Sequence, residues 1–510
     1  MVLKATVTMN GMMQRSRRMT IGINDILRLC NGVVACLILS GFFLENLADH
    51  PYMDWLTLVL GLVLCLQTHI ALRLERRNPD PFVLVMAYLL TFFYALRIFT
   101  LLLYPVQDVF LRYAYGPADS NHALLYILIA NTFIYAGFFQ VNLRGAVEIE
   151  TGDYQPRRPR IGVALLVISL LFGLLVQKQL PDAVAPFINL IYNNFFTPNV
   201  ILMVLAIYVI VFRNRLPSIY IKIVLGSAAI LMVLQTLAFS RSGLLTLADN
   251  LLIVGLALLP TVRLSRRYVL VGFAVVPFLL ITAFTIYSIS TTTRQMKGEA
   301  GETLAEKVEL MQASREALAD DPRTDFFLGQ VFSRAGYFDF SAELIASREH
   351  YSDVFTLSNY AKSLVDNVLT PGFDVYDQPR ISNSLKYAYS NNLDALLKHR
   401  ETQGSYHTDH LGLYGEMYNL FGYASFLVLY LMARLLKKVF RDGGSSNQRL
   451  VALNRVITIS LFFQLMNSFG FDWIALNMII LFISMHVLSK LFWFRNDCPT
   501  YIPHGRASRE

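Results

Sequence analysis

The sequence predicts an all-α, polytopic membrane protein, and three observations carry that prediction. Of 510 residues, 55% are hydrophobic and only 16% are charged, where a soluble chain carries about 25% charged residues. Mean hydropathy is +0.46, and apolar runs recur at the roughly 17–25 residues a helix needs to cross about 30 Å of hydrocarbon. Lys and Arg cluster at alternate ends of those runs.

Taken in order, the runs place spans at 26–45, 55–72, 82–104, 123–142, 162–177, 199–212, 219–239, 243–260, 268–290, 412–434, 451–469 and 472–493. Arg15, Arg17 and Arg18 precede the first span, with no pattern of a removable signal peptide. The loop ENLADHPYMDW to the second has no Lys or Arg, whereas Arg73, Arg76 and Arg77 lead into the third. Only Arg112 lies in 105–122, before the fourth. Arg144, Arg157, Arg158 and Arg160 then precede the short fifth span, and Arg213 and Arg215 follow the short sixth. A turn around Ser240–Gly243 joins the seventh and eighth, and Arg263, Arg266 and Arg267 lead to the ninth. Beyond a long loop comes the tenth, followed by Lys437, Lys438 and Arg441; Arg495, Arg506 and Arg509 close the chain. Positive residues stay cytoplasmic, so both termini are expected there.

This topology divides the chain into membrane regions at 1–290 and 411–510 around an outer loop at 291–410. The loop holds twelve Lys and Arg against eighteen Asp and Glu, a net of −6, so the rest carries +14 of the formal +8. The pI of 9.2 thus reflects anchoring beside anionic lipid, and no nucleic-acid partner is expected. Cys30, Cys36 and Cys65 fall in spans and Cys498 in the tail, which leaves no outer disulfide framework and no zinc spacing.

The loop has helical signals of its own. TLAEKVELMQASREAL opens on the capping-box pair Thr303 and Glu306. DFFLGQVFSRAGYF sets Arg334 among Phe327, Val331 and Phe338 on one helical stripe. SDVFTLSNYAKSLVDNVLTPG predicts a further helix, capped by Ser352 or Asp353 and stopped by Pro371 and Gly372.

Charged residues inside apolar runs are the functional signal. Arg241 stands at the outer end of the seventh span, and Asp249 lies two turns into the eighth, where a charge costs about 2.5–3.5 kcal/mol. A snorkelling arginine is the plain alternative for Arg241; a lined, hydrated cavity accounts for both residues. Arg97 sits two turns below the outer end of the third span. SYHTDHLGLYGEMYNLFGY brings His407, Asp409, His410, Tyr414, Glu416 and Tyr418 to the outer end of the tenth. Arginine forks grip phosphate oxygens bidentately, and a nearby His or Glu takes a proton from a hydroxyl.

The SRSGLL turn between two mid-chain spans, the long outer loop with its NVLTPG stop, and GEMYNLFGYASF opening the next span together resemble the Wzy-type O-antigen and exopolysaccharide polymerases. The resemblance implies a multi-pass protein of the bacterial inner membrane, with a fold related to O-antigen ligases and possible GT-C-like character. It implies glycosyl transfer outside that membrane: a glycan on undecaprenyl diphosphate moves onto the sugar of an incoming lipid-linked repeat unit. No metal is expected, and a chain-length regulator and a flippase of the same pathway are the implied partners. Within this reading Arg241 and Arg334 hold the diphosphate with Arg97 as a third arginine, and Asp249 belongs to the same substrate site. Glu416 or His410 is the base, and His407, Tyr414 and Tyr418 contact sugar. One departure is that no Arg in 291–410 is followed by Gly eleven residues on, a spacing some members show in outer loops. Three alternatives stand beside it: a glycan ligase, a metal-dependent glycosyltransferase using Asp49 and Asp54 of the first loop, and a transporter.

Overall fold

Helices occupy eleven of the twelve expected spans, and the ninth lies outside the described residues. The computed structural model describes most of 20–265, then 337–381 and 412–492, with short breaks in each. In chain order, α1 is Ile23–Gly41, α2 Trp55–Leu74, α3 Pro81–Leu103 and α4 Pro117–Gln140. They are followed by α5 (Pro159–Leu171), α6 (Pro198–Val211), α7 (Ile219–Leu237) and α8 (Arg241–Leu258). Next come α9 (Tyr337–Ala346), α10 (Arg348–Tyr351) and α11 (Leu357–Leu364), the last running on into a π turn at Val365–Leu369. The chain closes with α12 (Leu413–Phe421), α13 (Ser425–Asp442), α14 (Gln448–Asn467) and α15 (Phe471–Phe492).

Five stretches are long and apolar enough to cross a membrane: α1, α2, α3, α4 and the α12–α13 run Leu413–Arg441. Their exteriors are apolar as well. Leu427, Leu431, Leu435 and Val439 of α13 are all exposed, four residues apart and therefore on one stripe. A face of that kind is stable against lipid rather than water, so this is a membrane-embedded helical protein.

Neighbouring helices run antiparallel and are pinned at their ends by polar groups. At one end Asn24 donates to the Leu72 carbonyl at 2.9 Å, and Lys437 reaches both the Asp80 carboxylate and the Phe138 carbonyl. At the other, Asp54 caps α2 and accepts from the Asn121 side-chain amide with both carboxylate oxygens at 3.0 Å, while His122 meets the Tyr423 hydroxyl at 3.1 Å. α4 and α13 lie alongside one another in parallel. A Cβ on Gly137 would stand 2.6 Å from the Tyr430 carbonyl, so glycine is what allows these backbones to touch. α3 is the central rod, and Phe82 through Ala87 are wholly buried.

Three expectations change. A short antiparallel pair, Thr20–Gly22 with Arg263–Ser265, adds the described residues' one departure from all-α structure. The turn expected at Ser240–Gly243 is already helix from Arg241 onward, because Ser and Gly are tolerated in a first turn. The cap of α11 is Thr356, whose hydroxyl accepts the Asn359 N–H at 3.1 Å, rather than Ser352 or Asp353. The stretch before it is a turn because Asn359 also donates to the Asp353 carbonyl at 2.7 Å.

Candidate functional site

Arg97 is reached through an irregularity in α3. Residues Leu90–Ala95 form a π turn, and the extra residue in such a turn rotates everything beyond it by roughly 100° about the helix axis. Arg97 thereby points into the bundle, 2% exposed. Its Nε donates to Asp339 Oδ2 at 2.7 Å, and Nη1 lies 3.4 Å from the Thr100 hydroxyl. Asp339 belongs to α9, inside the segment expected to be the long loop. Its other oxygen accepts the Tyr115 hydroxyl at 3.2 Å. Burial, and then the negative charge of Asp339, raises the Tyr115 phenol well above its ordinary value, so it stays protonated and donates.

Glu416 is held in a similar way. It lies in the first turn of α12, fully buried, and accepts the Tyr360 hydroxyl of α11 at 2.7 Å. α9 packs directly on α12. A Cβ at Gly415 would sit 2.9 Å from Leu344 Cβ, and Asn419 donates to the Leu344 carbonyl at 2.6 Å. Tyr414 turns inward, donates to Asn131 and meets the Tyr94 ring edge-on at 5.4 Å. On α9, Glu343 stands one turn beyond Asp339, also buried, and takes the Tyr351 hydroxyl at 3.0 Å. Two helices of the expected loop thus place one partner each on a polar residue of the membrane helices.

A pocket of about 750 Å³ is lined by Asp119 and His122 of α4, Ile345 and Ala346 of α9, Ser347 through His350, Ser352, and Tyr418 of α12. The Arg348 guanidinium rests 5.2 Å over the Tyr418 ring, a cation–π contact that fixes its direction. Tyr126, His122 and Tyr423 meet Tyr418 edge-on, leaving the ring 7% exposed. The pocket therefore offers a fixed guanidinium, two imidazoles and the carboxylates of Asp119 and Glu349. Asp119 already accepts the Gly116 N–H at 2.8 Å.

The sequence-predicted residues divide into three groups. Arg97, Glu416, Tyr414 and Tyr418 come together around α9 and α12. Of these, Tyr414 is packed as a core side chain with no open ring face, and the Tyr418 face is covered by Arg348. Asp249 is half-buried on α8, and Arg241 begins that helix with its side chain outside the described ones. Arg334, His407 and His410 lie outside the described residues. In the first loop, burial pushes the Asp54 carboxyl up, but hydrogen bonds from the Thr57 and Leu56 amides, the Thr57 hydroxyl and Asn121 hold it below its ordinary value. It is occupied as a cap, with a partner in Asn121 that the loop ADHPYMDW itself does not supply. Sequence reasoning missed Asp339, Tyr115, Tyr360, His122, Arg348 and His350. An acid inside the apolar run YFDFSAELIA was the available signal for Asp339, by the logic that singled out Arg97.

No family model, curated protein or solved structure matches this chain. Fold and site define its class: a membrane-embedded helical protein with buried acid–arginine and acid–tyrosine contacts and a polar pocket lined by residues of α4, α9, α10 and α12.

Proposed function

We propose that the protein is a repeat-unit polymerase that joins undecaprenyl-diphosphate-linked oligosaccharides on the outer face of the bacterial inner membrane, through about twelve spans. The observation that carries this reading is the pocket. It sets an arginine, two histidines and two carboxylates at the end of a lipid-facing helix bundle, where a sugar on a membrane-held lipid would arrive. Its volume falls in the roughly 300–1,000 Å³ range of small-molecule sites.

The chemistry asks for two things. A lipid diphosphate is a good leaving group, so the site must stabilise the charge that grows on it; fixed guanidinium groups do this without reorganising. Arg241 and Arg334 are the first choices, and Arg348 joins them on the strength of its position at the pocket. The acceptor hydroxyl must lose a proton, for which Glu416 or His410 is the base. Tyr360 orients Glu416 and keeps it ionised by donating a hydrogen bond to its carboxylate. Metal is not required in this scheme.

Two measurements test the proposal. In a deletion strain, lipid anchors bearing single repeats are expected; anchors bearing none point instead to a ligase or a transporter. Purified protein given lipid-linked repeats should make polymer in excess chelator, and Asp49→Ala with Asp54→Ala should leave polymer formation intact. Activity lost with chelator and restored by magnesium or manganese rejects the arginine mechanism.

A further inference from the structure

The pocket has an apolar continuation. His122, which lines it, begins a stripe on α4 that runs on through Leu125, Ile129 and Phe133. These three are exposed, and spacings of three and four residues put them on one face with His122. Beside that stripe on α13, Tyr423, Leu427 and Leu431 are exposed at intervals of four. The two stripes are joined at each level. His122 meets the Tyr423 hydroxyl at 3.1 Å. Further along, the Phe426 ring stacks on Tyr126 at 5.1 Å and on Phe133 at 5.4 Å, within 12° of parallel to the latter. α4 and α13 thus form one seam, floored by rings, that runs about 16 Å from His122 to Phe133. Exposed apolar faces also occur on α1, at Leu29 and Val33, and on α7, at Leu225 and Ile230. None of those residues lines the pocket, whereas the α4–α13 seam ends on one that does.

The pocket end of the seam carries a fixed cation. Arg348 lies over the Tyr418 ring. At the corner between α12 and α13, a Cβ on Gly422 would stand 3.3 Å from both Nη atoms of Arg348, so the guanidinium occupies space that only glycine leaves open. Stacking engages the face of a guanidinium and leaves its in-plane N–H groups as donors. Among the described residues Arg348 makes no ion pair with a carboxylate. Asp119 of the same pocket is already taken up at the start of α4, where it accepts the Gly116 N–H.

We propose that the α4–α13 seam is the docking surface for the hydrocarbon chain of a polyprenyl diphosphate lipid, whose anionic head is received by Arg348 in the pocket. The inference rests on the polymerase reading and deepens it by assigning the face along which the lipid-linked substrate enters. Two features placed end to end select such an amphiphile: apolar surface that faces lipid, and a fixed guanidinium where that surface stops. A neutral lipid gains from the first alone, and a soluble sugar phosphate from the second alone. The rings of the floor supply contact area with little side-chain entropy to lose. The backbones of α4 and α13 touch at Gly137, so the seam between them is narrow. That suits a single-chain polyprenyl lipid better than a two-chain phospholipid.

The test is photo-crosslinking of the full-length purified chain in phosphatidylcholine nanodiscs. The probe is a polyprenyl diphosphate carrying a diazirine within its hydrocarbon chain, and the adducts are located by mass spectrometry. Label is expected on α4 between Leu125 and Phe133 and on α13 between Tyr423 and Leu431. Unlabelled polyprenyl diphosphate should displace it, and an excess of phosphatidylglycerol should not. Arg348→Gln alters an exposed side chain and leaves the seam intact. It should raise the half-saturating probe concentration by roughly tenfold or more, the worth of one charged hydrogen bond. Adducts on α1 and α7 as abundant as those on α4, or displacement by phosphatidylglycerol as effective as by the polyprenyl lipid, mean ordinary lipid contact and overturn the inference. Labelling indifferent to Arg348→Gln overturns it as well. Polymer made by a protein whose label lies elsewhere rejects the seam alone; displaceable label on the seam of a protein that makes no polymer rejects the polymerase reading alone.

Discussion

At the scale of single residues, the site is built from charges whose partners lie far away in the chain. Glu416 and Tyr360 are 56 positions apart and 2.7 Å from one another. Two substitutions separate the roles this pair could have. Tyr360→Phe removes a hydrogen bond to a buried carboxylate, a loss of about 1.5–3 kcal/mol, and should lower both the unfolding temperature and polymer yield. Glu416→Gln keeps an oxygen that accepts from Tyr360, so the protein should stay folded while polymer disappears. A stable, fully active Glu416→Gln protein would transfer the base assignment to His410. Arg241 invites a similar comparison: if it holds a diphosphate, Arg241→Lys keeps the charge but loses the fork, so it should be impaired along with Arg241→Ala at unchanged protein level. Full polymer from Arg241→Ala would return that residue to the snorkelling reading.

Among the helices, polar clasps at their ends do work that apolar surface does not do in lipid, where burying hydrocarbon gains little. Lys437 on α13 bridges the cap of α3 and the last turn of α4 through Asp80 and Phe138. Lys437→Met should destabilise the protein by about 3–5 kcal/mol, because Asp80 is left buried and unpaired, and Asp80→Asn in the same chain should recover part of that loss. The comparison to make is thermal unfolding of the single and double variants in detergent. Glu75, at the end of α2, adds a pH dependence. Burial first, then the charge of Asp80, pushes its carboxyl up to about 7, while Lys437 pulls it down. For an acid raised in the folded state, the folded protein holds the proton more tightly than the unfolded chain, so stability falls as pH rises from about 4.5 to about 7. Glu75→Gln should flatten that part of the stability profile; an unchanged slope would assign it to other groups.

For the molecule as a whole, the basic residues predict an orientation in the membrane. Reporter fusions at Arg77, Arg160 and Arg267 should read as cytoplasmic, and those at Asp320 and Asn391 as outer, since short Lys- and Arg-rich loops stay inside. A cytoplasmic signal at Asn391 would remove the outward-facing site on which the polymerase reading depends. What the sequence determined by itself is the lipid-facing character and the order of the helices. Both follow from local quantities, the length of an apolar run and the charges beside it, which is why α1, α2, α3 and α4 fall within a few residues of their expected spans. It also marked Arg97 and Glu416 as costly inside such runs. What only the tertiary structure decided is what offsets that cost. Asp339 and Tyr360 belong to helices within the expected outer loop, and nothing local ties Asp339 to Arg97 or Tyr360 to Glu416. The rotation introduced by the π turn at Leu90–Ala95, and the close approach of α9 to Gly415, bring them into contact. The pocket is non-local for the same reason, since α4, α9, α10 and α12 all contribute to its lining. Periodicity records which face of a helix is apolar; which charge on another helix answers a buried charge is set by three-dimensional packing, because a buried ion pair is stable only where its partner actually arrives.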